Sequence, residues 1–375
     1  MTRVNYEDFL QSEPYGLDHD NKHEELTEIL KDITIHHMRS CHEYRDILSS
    51  FGFQTEDDIK KISAYEQIPF LPVRMFKEYE LKSVNEVEVV KTLTSSGTTG
   101  QQVSRIFLDK ETSSNQTKVM THIVSDFIGR QRLPMIILDT KAILKDRTMF
   151  SARGAGILGF SMFGRDRIYA LDENMNLDMN GLREFLFQHE GEDIFLFGFT
   201  FMIWQFFYQK LVALPVDQRP DLSRGILIHG GGWKKLVAEA VSPEIFKDAL
   251  HEVCGINQKH IYNYYGMVEQ TGTIYMECEY GHLHTSSFSD VIVRNPEDWS
   301  VQKRGERGLI EVVSVLPKSY PGHVLLTEDE GFIEGEDDCP CGRKGKYFKI
   351  LGRVKNAEIR GCSDTYADKV SRKHA

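Results

Sequence analysis

The run Thr94-Ser95-Ser96-Gly97-Thr98-Thr99-Gly100 constrains this chain more than any other segment. It consists of small hydroxyl residues and glycines. An apolar strand candidate precedes it (Val89, Val90, Leu93) and another follows it (Val103, Ile106, Leu108). Glycine lets a backbone approach a ligand closely and turn its N–H groups inward, and Ser/Thr hydroxyls add donors, so such a loop can cradle a polyphosphate. It is not a Walker A loop, because Gly100 is followed by Gln101-Gln102 and not by Lys-Ser/Thr. That rules against a P-loop kinase or GTPase. Taken alone, the same residues also suit a plain Ser/Gly surface turn.

The remaining segments alternate between strand and helix patterns. Leu26, Ile29, Leu30, Ile33 and Met38 fall at near-helical spacing, predicting an N-terminal helical region from about 21 to 50, and Phe70-Leu71-Pro72 ends it. A helix is expected from Lys110 to Gly129, with Met120, Ile123, Val124 and Phe127 on one face. Pro134 to Asp139, Arg224 to His229 and Ile261 to Tyr265 are strand candidates, the last delivering Glu269 to its carboxyl end. Ser242 and Pro243 suit a helix N-cap and first position, and Gly255 suits the cap at its other end. Strands alternating with helices, with motifs just past strand ends, predict an α/β fold binding ligands at the carboxyl edge of a sheet.

Composition excludes several classes. At 375 residues, 41% apolar and 27% charged, the chain is that of a globular protein of one large or two ordinary domains. A net charge of −11 with no basic tract argues against nucleic-acid or anionic-membrane binding. The longest apolar run, Ile194 to Tyr208, is broken by Thr200 and Gln205 and is too short to span a bilayer. The first residues lack an apolar signal core, and six scattered cysteines without one read as reduced thiols in the cytoplasm.

Three further motifs follow the loop in order: His229-Gly230-Gly231-Gly232-Trp233, Asn263-Tyr264-Tyr265-Gly266-Met267-Val268-Glu269, and Leu351-Gly352-Arg353 with Ile359-Arg360-Gly361. Together they resemble the phosphate loop, adenine-side glycine segment, Asn-x-Tyr-Gly-x-Thr-Glu motif and hinge of adenylate-forming enzymes. These include the acyl-CoA synthetases and phenylacetate-CoA-ligase-like proteins. The resemblance covers about residues 70 to 362. It implies an adenylate-forming α/β large domain with a truncated C-terminal arm. The expected division is an N-terminal helical region (1–80), a core (81–351), and a hinge with a short arm carrying Cys362 (352–375). The Ser-Ser-Gly-Thr-Thr-Gly loop running into Ser104-Arg105-Ile106, the Tyr-Gly-Met-Val-Glu-Gln run and Cys362 are more narrowly similar to one group. That group is the acyl-protein synthetases of bacterial bioluminescence fatty-acid reductase complexes.

The chemistry so implied is carboxylate activation. A carboxylate cannot expel oxide, but joined to the α-phosphate of ATP it gains AMP as leaving group. That step calls for held phosphates, a divalent cation and a ribose clamp. By resemblance, Ser95, Ser96, Gly97, Thr98, Thr99 and Gly100 hold phosphates, while Gly230, Gly231, Gly232, Tyr265 and Gly266 border the nucleotide. Glu269 is the expected magnesium ligand. Val268 stands where the family has Thr, so Thr271 or a backbone N–H would have to supply that donor. Asp329 takes the place of the ribose-binding aspartate, although Glu328 replaces the preceding glycine, and an acidic turn is the other reading. Arg353 matches the hinge arginine, a clamp on ribose or phosphate, or else a solvated surface side chain. The family's late catalytic lysine has no matched position; Lys369 and Lys373 lie in no motif.

Two groups of thiols remain. Cys339-Pro340-Cys341-Gly342-Arg343 resembles a segment of phenylacetate-CoA-ligase-like proteins, some of which carry structural zinc. With Cys278 and either His282 or His284 it can form a tetrahedral S₃N site, or these are simply reduced turn cysteines. Cys362 sits among small and charged residues, and by resemblance it is the thiol that takes the acyl group from the adenylate. The aromatic-rich segment Phe195 to Trp204 reads as a buried strand entering a core helix, compatible with the wall of a fatty-acid site. The expected substrate is a long-chain fatty acid. The expected partners are the fatty-acid reductase subunit and the acyltransferase (thioesterase) subunit of a multienzyme complex. An acyl- or aryl-CoA ligase using free CoA, and a catalytically silent nucleotide-binding scaffold, are the competing expectations.

Overall fold

The computed structural model describes residues 5–95, 103–144, 152–233 and 239–354. Its strands begin with β1 (Leu71–Pro72), the paired β2 (Lys91–Thr94) and β3 (Arg105–Leu108), then β4 (Leu133–Thr140), β5 (Gly164–Leu171), β6 (Ile194–Phe199) and β7 (Gly225–Gly230). They continue with β8 (Ile261–Tyr265), β9 (Tyr275–Glu277), β10 (Leu283–His284), β11 (Ser289–Arg294), β12 (Gly308–Ser314), β13 (Val324–Glu336) and β14 (Lys346–Arg353).

One sheet joins all of these except β2 and β3, in the order β11-β12-β13-β14-β10-β9-β8-β7-β6-β4-β5, with β1 parallel to β13. From β5 to β8 neighbouring strands are parallel; from β8 to β11 they are antiparallel. The chain leaves β4 to one side for β5 and returns on its other side for β6, the kind of switch point at whose carboxyl edge open α/β sheets bind ligands. Near the end of β4, Asp139 holds Arg153 of helix Ala152–Ser161 at 2.8 Å, both side chains buried.

The parallel strands are apolar on both faces, as sheets covered on both sides require. Met135, Ile137, Phe195, Phe197 and Ile228 face one core, while Ile136, Leu138, Leu196 and Leu227 face a second. The first core also takes in the N-terminal helices. The helical pattern expected from about 21 to 50 is realised as His19–Ser40 and His42–Ser50, and Leu26, Ile29, Leu30, Ile33 and Met38 are all buried. Lys22 fastens the long helix to the sheet: its ammonium group donates to Thr285 Oγ1 at 2.7 Å and lies 3.7 Å from Asp290. Asp290 also accepts from Tyr65 and pairs with Lys346 at 3.2 Å.

Local signals set the helix ends. Asp109 accepts from Thr112 N at 2.8 Å at the start of Lys110–Ile128, and Gly129 (φ 82°) ends it. On this helix Met120 is only half-buried, and Val119 and Ile128 complete the inner face. Ser242, Pro243 and left-handed Gly255 (φ 81°) bound Pro243–Cys254 as expected. The apolar run after β6 continues into helical turns that widen to π spacing over Ile203–Tyr208, which its periodicity does not announce. Among the described residues no helix is long and apolar enough to cross a membrane.

Candidate active site

The β2–β3 hairpin presents the Ser/Thr/Gly loop. At its base Ser95 N donates to Ser104 O at 3.1 Å and Ser104 N to Ser95 Oγ at 2.9 Å. Ser95 is thus a closing residue of the loop; Ser96, Gly97, Thr98, Thr99 and Gly100 lie outside the described residues. Ser104 is buried beside Glu269, which follows β8 on the helical turn Val268–Gln270. Burial pushes the Glu269 carboxyl up from its ordinary pKa, and the Ser104 hydroxyl and the charges of Lys77 and Arg353 oppose that push. The next side chain fixes the turn: Gln270 Nε2 donates to Val312 O at 3.0 Å and to Gly322 O at 2.9 Å. Thr271, a candidate to replace the donor missing at Val268, turns its hydroxyl onto Val268 O at 3.0 Å.

Tyr265 ends β8, and its phenol donates to Asp329 Oδ2 at 2.7 Å. Asp329 and Arg353 are paired residues of β13 and β14, with Arg353 Nε 3.6 Å from Asp329 Oδ1. Burial raises the Asp329 carboxyl, while the Tyr265 hydrogen bond and the Arg353 charge pull it down. Tyr265, Asp329 and Arg353 therefore meet although they come from separate motifs, and the Arg353 charge also reaches Glu269.

The glycines beside them make room for rings. A Cβ at Gly230 would lie 2.6 Å from the Tyr264 ring, and one at Gly231 (φ 83°) would lie 2.7 Å from Phe199. A Cβ at Gly232 (φ 58°) would meet none of the described residues within 4 Å, and one at Gly266 would press on Ile274 at 3.2 Å.

A second cluster gathers Cys278, His284, Cys339 and Cys341, whose ligand atoms lie within 4.8 Å of one another. Cys278 Sγ and Cys339 Sγ are 3.9 Å apart, and Cys341 Sγ is 3.4 Å from His284 Nε2. A tetrahedral zinc with bonds of about 2.3 Å to sulfur and 2.0 Å to nitrogen has edges of roughly 3.8 and 3.5 Å. The donor set fits that ion. Burial drives His284 down to about 3, so its ring is neutral, as a metal ligand must be. His282, named with His284 as the alternative ligand, is not part of the cluster; its Nδ1 pairs with Glu334 at 2.8 Å. In the same turn Arg343 reaches Asp126 at 2.8 Å and Glu279 at 3.1 Å and lies 4.2 Å over the Phe127 ring.

Cys362, Ile359-Arg360-Gly361, Lys369 and Lys373 lie outside the described residues. Sequence reasoning passed over Lys77 and Tyr320. Both belong to segments without a periodic or motif signal, and Tyr320 is recognisable only once Gly322 packs beside Glu269 O, 2.9 Å from where a Cβ would stand.

A sheet of this order is the fold of adenylate-forming ligases. Crystallised 2-hydroxyisobutyryl-CoA ligase in the postadenylation state with 2-HIB-AMP has this fold. Its TM-score is 0.66 at 13% identity, over 91% of this chain and 69% of that one. Its open conformation with 2-HIB-AMP and CoA gives 0.65 at 14% identity, over 96% and 82%. Residues 3–371 match the family described as "Acyl-protein synthetase, LuxE", and the chain belongs to that family. It is an ATP-dependent ligase. A long-chain-fatty-acid–luciferin-component ligase of Vibrio harveyi is 21% identical over 339 residues, 88% of this chain and 83% of that protein. One of Photorhabdus luminescens is 32% identical over 89 residues, 24% of this chain and 72% of that protein.

Proposed function

We propose that this synthetase activates a long-chain fatty acid with ATP, holds the acyl group as a thioester on Cys362, and passes it to a fatty-acid reductase partner. In the first step a fatty-acid carboxylate oxygen bonds to the α-phosphorus, and the bond to the β-phosphate bridge oxygen breaks. The electron pair leaves with pyrophosphate. In the second, the Cys362 thiolate attacks the acyl carbon and AMP leaves. The observation that carries the reading is the convergence of Tyr265, Asp329, Arg353 and Glu269 beside Ser104 at the base of the phosphate loop.

In this reading Asp329 accepts from the ribose, held by Tyr265, and Arg353 clamps the sugar–phosphate edge. Glu269 is the carboxylate for magnesium, which when bound neutralises phosphate oxygens. A buried carboxylate whose protonation is favoured by desolvation is relieved by such a cation. Cys278, Cys339, Cys341 and His284 would hold a structural zinc, tying the β9–β10 hairpin to the turn between β13 and β14. The names of the Vibrio and Photorhabdus relatives, long-chain-fatty-acid–luciferin-component ligases, support a long-chain fatty acid as the substrate; the reductase and acyltransferase (thioesterase) subunits are the partners this reading assigns.

The test is ATP–pyrophosphate exchange driven by long-chain fatty acids, together with labelled fatty acid and ATP in the absence of CoA. Exchange plus protein-bound label is expected. Exchange with label recovered only on added CoA would make it an acyl-CoA ligase, and no exchange would leave a nucleotide-binding scaffold.

A further inference from the structure

We infer that Lys77 is a catalytic cation of the adenylation step, its ammonium group meeting phosphate oxygens of the nucleotide at the base of the Ser95–Ser104 loop. The assignment depends on adenylation being the reaction.

The segment carrying Lys77 is anchored on both sides of that place. Upstream, β1 pairs with β13 at Leu325 and Leu326, and Val73 N donates to Leu326 O at 2.9 Å, three residues before Asp329. Downstream, Glu80 pairs at 2.8 Å with Arg105, the residue after Ser104. Between these anchors the short turn Met75–Glu78 buries Phe76 edge-on against Tyr320, ring centres 6.0 Å apart. Tyr320 is itself fully buried and packs with Gly322 against the backbone of Glu269. Lys77, next to Phe76, is only partly buried, and its charge acts on the Glu269 carboxylate together with that of Arg353. Loop base, carboxylate and lysine thus occupy one corner.

That corner needs positive charge. A bound triphosphate brings roughly four negative charges to the neighbourhood of two carboxylates, Glu269 and Asp329. Arg353, which pairs with Asp329 at 3.6 Å, is a second cation there. As the bond from the α-phosphorus to the bridge oxygen breaks, negative charge grows on the departing pyrophosphate and on the equatorial oxygens. A fixed ammonium group stabilises that charge more than the ground state. Lysine suits the task as a compact point charge on a flexible stem. It keeps its proton throughout; the new bond is carboxylate oxygen to phosphorus, and the electron pair leaves with pyrophosphate.

The experiment compares Lys77→Ala, Lys77→Met and Lys77→Arg with Lys82→Ala, a lysine of the same segment paired with Glu86. Fatty-acid-dependent ATP–pyrophosphate exchange and thermal midpoint are read for each. We expect Lys77→Ala and Lys77→Met to lower kcat about 100-fold, the scale of a lost oxyanion donor, with little change in thermal midpoint or in KM for the fatty acid. Lys77→Arg should recover part of the loss, ethylammonium should restore turnover to Lys77→Ala, and Lys82→Ala should behave as wild type. If wild type exchanges and both neutral variants stay within about twofold of it, the role of Lys77 is overturned while adenylation stands. If kcat falls only as far as the folded fraction falls and ethylammonium restores nothing, Lys77 is structural and the inference fails. A wild type that does not exchange overturns the adenylation reading itself.

Discussion

Tyr265 Oη donates to Asp329 Oδ2 at 2.7 Å, while the other oxygen of that carboxylate lies 3.6 Å from Arg353 Nε. One side chain near the sheet's centre and one on the β13–β14 hairpin thereby hold the same carboxylate against the desolvation that would protonate it. Removing the phenol should loosen this arrangement without disturbing the fold. Tyr265→Phe deletes a hydrogen bond to a charged group, worth about 1.5–3 kcal/mol. We expect KM for ATP in pyrophosphate exchange to rise about tenfold with the thermal midpoint nearly unchanged. An unaltered affinity for ATP, measured by calorimetry, would show that Asp329 does not meet the nucleotide.

Much of this corner was legible in the residues because its parts are turn and strand-end chemistry. A carboxylate just past a strand leaves a local signature, and Glu269 follows β8 where that signature places it, while Ser95 closes the base of its hairpin. Helix ends were legible for the same reason, as Ser242, Pro243 and Gly255 illustrate. What depends on pairing across long separations was not. Nothing near Leu71 indicates that it pairs with Leu325, so the route that carries Lys77 to Glu269 is invisible in the chain. The choice between His282 and His284 was likewise open, because two residues of a turn have equal reach until Glu334 claims one of them.

The thiol cluster makes a prediction separate from catalysis. Protein purified without chelator should contain about one zinc per chain, and Cys339→Ser or His284→Ala should abolish it. Because the ion would link the hairpin holding Cys278 and His284 to the turn holding Cys339 and Cys341, its removal should destabilise the fold. At free zinc about a thousandfold above Kd the linkage is worth about 4 kcal/mol. Metal analysis and thermal unfolding with and without chelator decide the matter. Metal-free protein with a midpoint indifferent to zinc and chelator would make these ordinary reduced cysteines.

A pair of buried imidazoles predicts acid sensitivity of the fold. His323 accepts or donates at Thr34 Oγ1 (2.9 Å) and Tyr44 Oη (3.3 Å), and its ring lies 5.0 Å from that of His37. His37 in turn meets Ser83 Oγ at 2.7 Å and Pro317 O at 3.0 Å. Burial pushes His323 down to about 3, and His37 falls well below its ordinary value through burial and the neighbouring His323 and His36. Below about pH 6.5 the unfolded chain binds protons that the folded imidazoles refuse. Stability contributed by the neutral rings is therefore complete above that pH and declines as pH falls toward the folded values. Each ring adds up to about 1.4 kcal/mol per pH unit in that window. His323→Gln keeps a polar side chain at the site but removes one titration. Its stability, from denaturant unfolding between pH 6.5 and 4.5, should fall less steeply than that of wild type by about one proton's worth. Parallel pH profiles for the two proteins would refute the assignment.

Cys362 separates the two enzyme readings. In the proposed reaction adenylation draws on the Ser/Thr/Gly loop, Tyr265, Asp329 and Glu269, and it needs no thiol. Holding the acyl group on the protein does need one, because the thiolate is the nucleophile that displaces AMP. Cys362→Ser substitutes a hydroxyl of far higher pKa, a much poorer nucleophile near neutrality. The variant should exchange pyrophosphate with fatty acid at the wild-type rate and yet retain no hydroxylamine-labile acyl group. It should also fail to supply acyl groups to a fatty-acid reductase. Acylation of the variant equal to wild type would mean that another residue is the acceptor. Wild-type protein that stays unlabelled until CoA is added would mean that the thiol of CoA, not that of Cys362, completes the reaction.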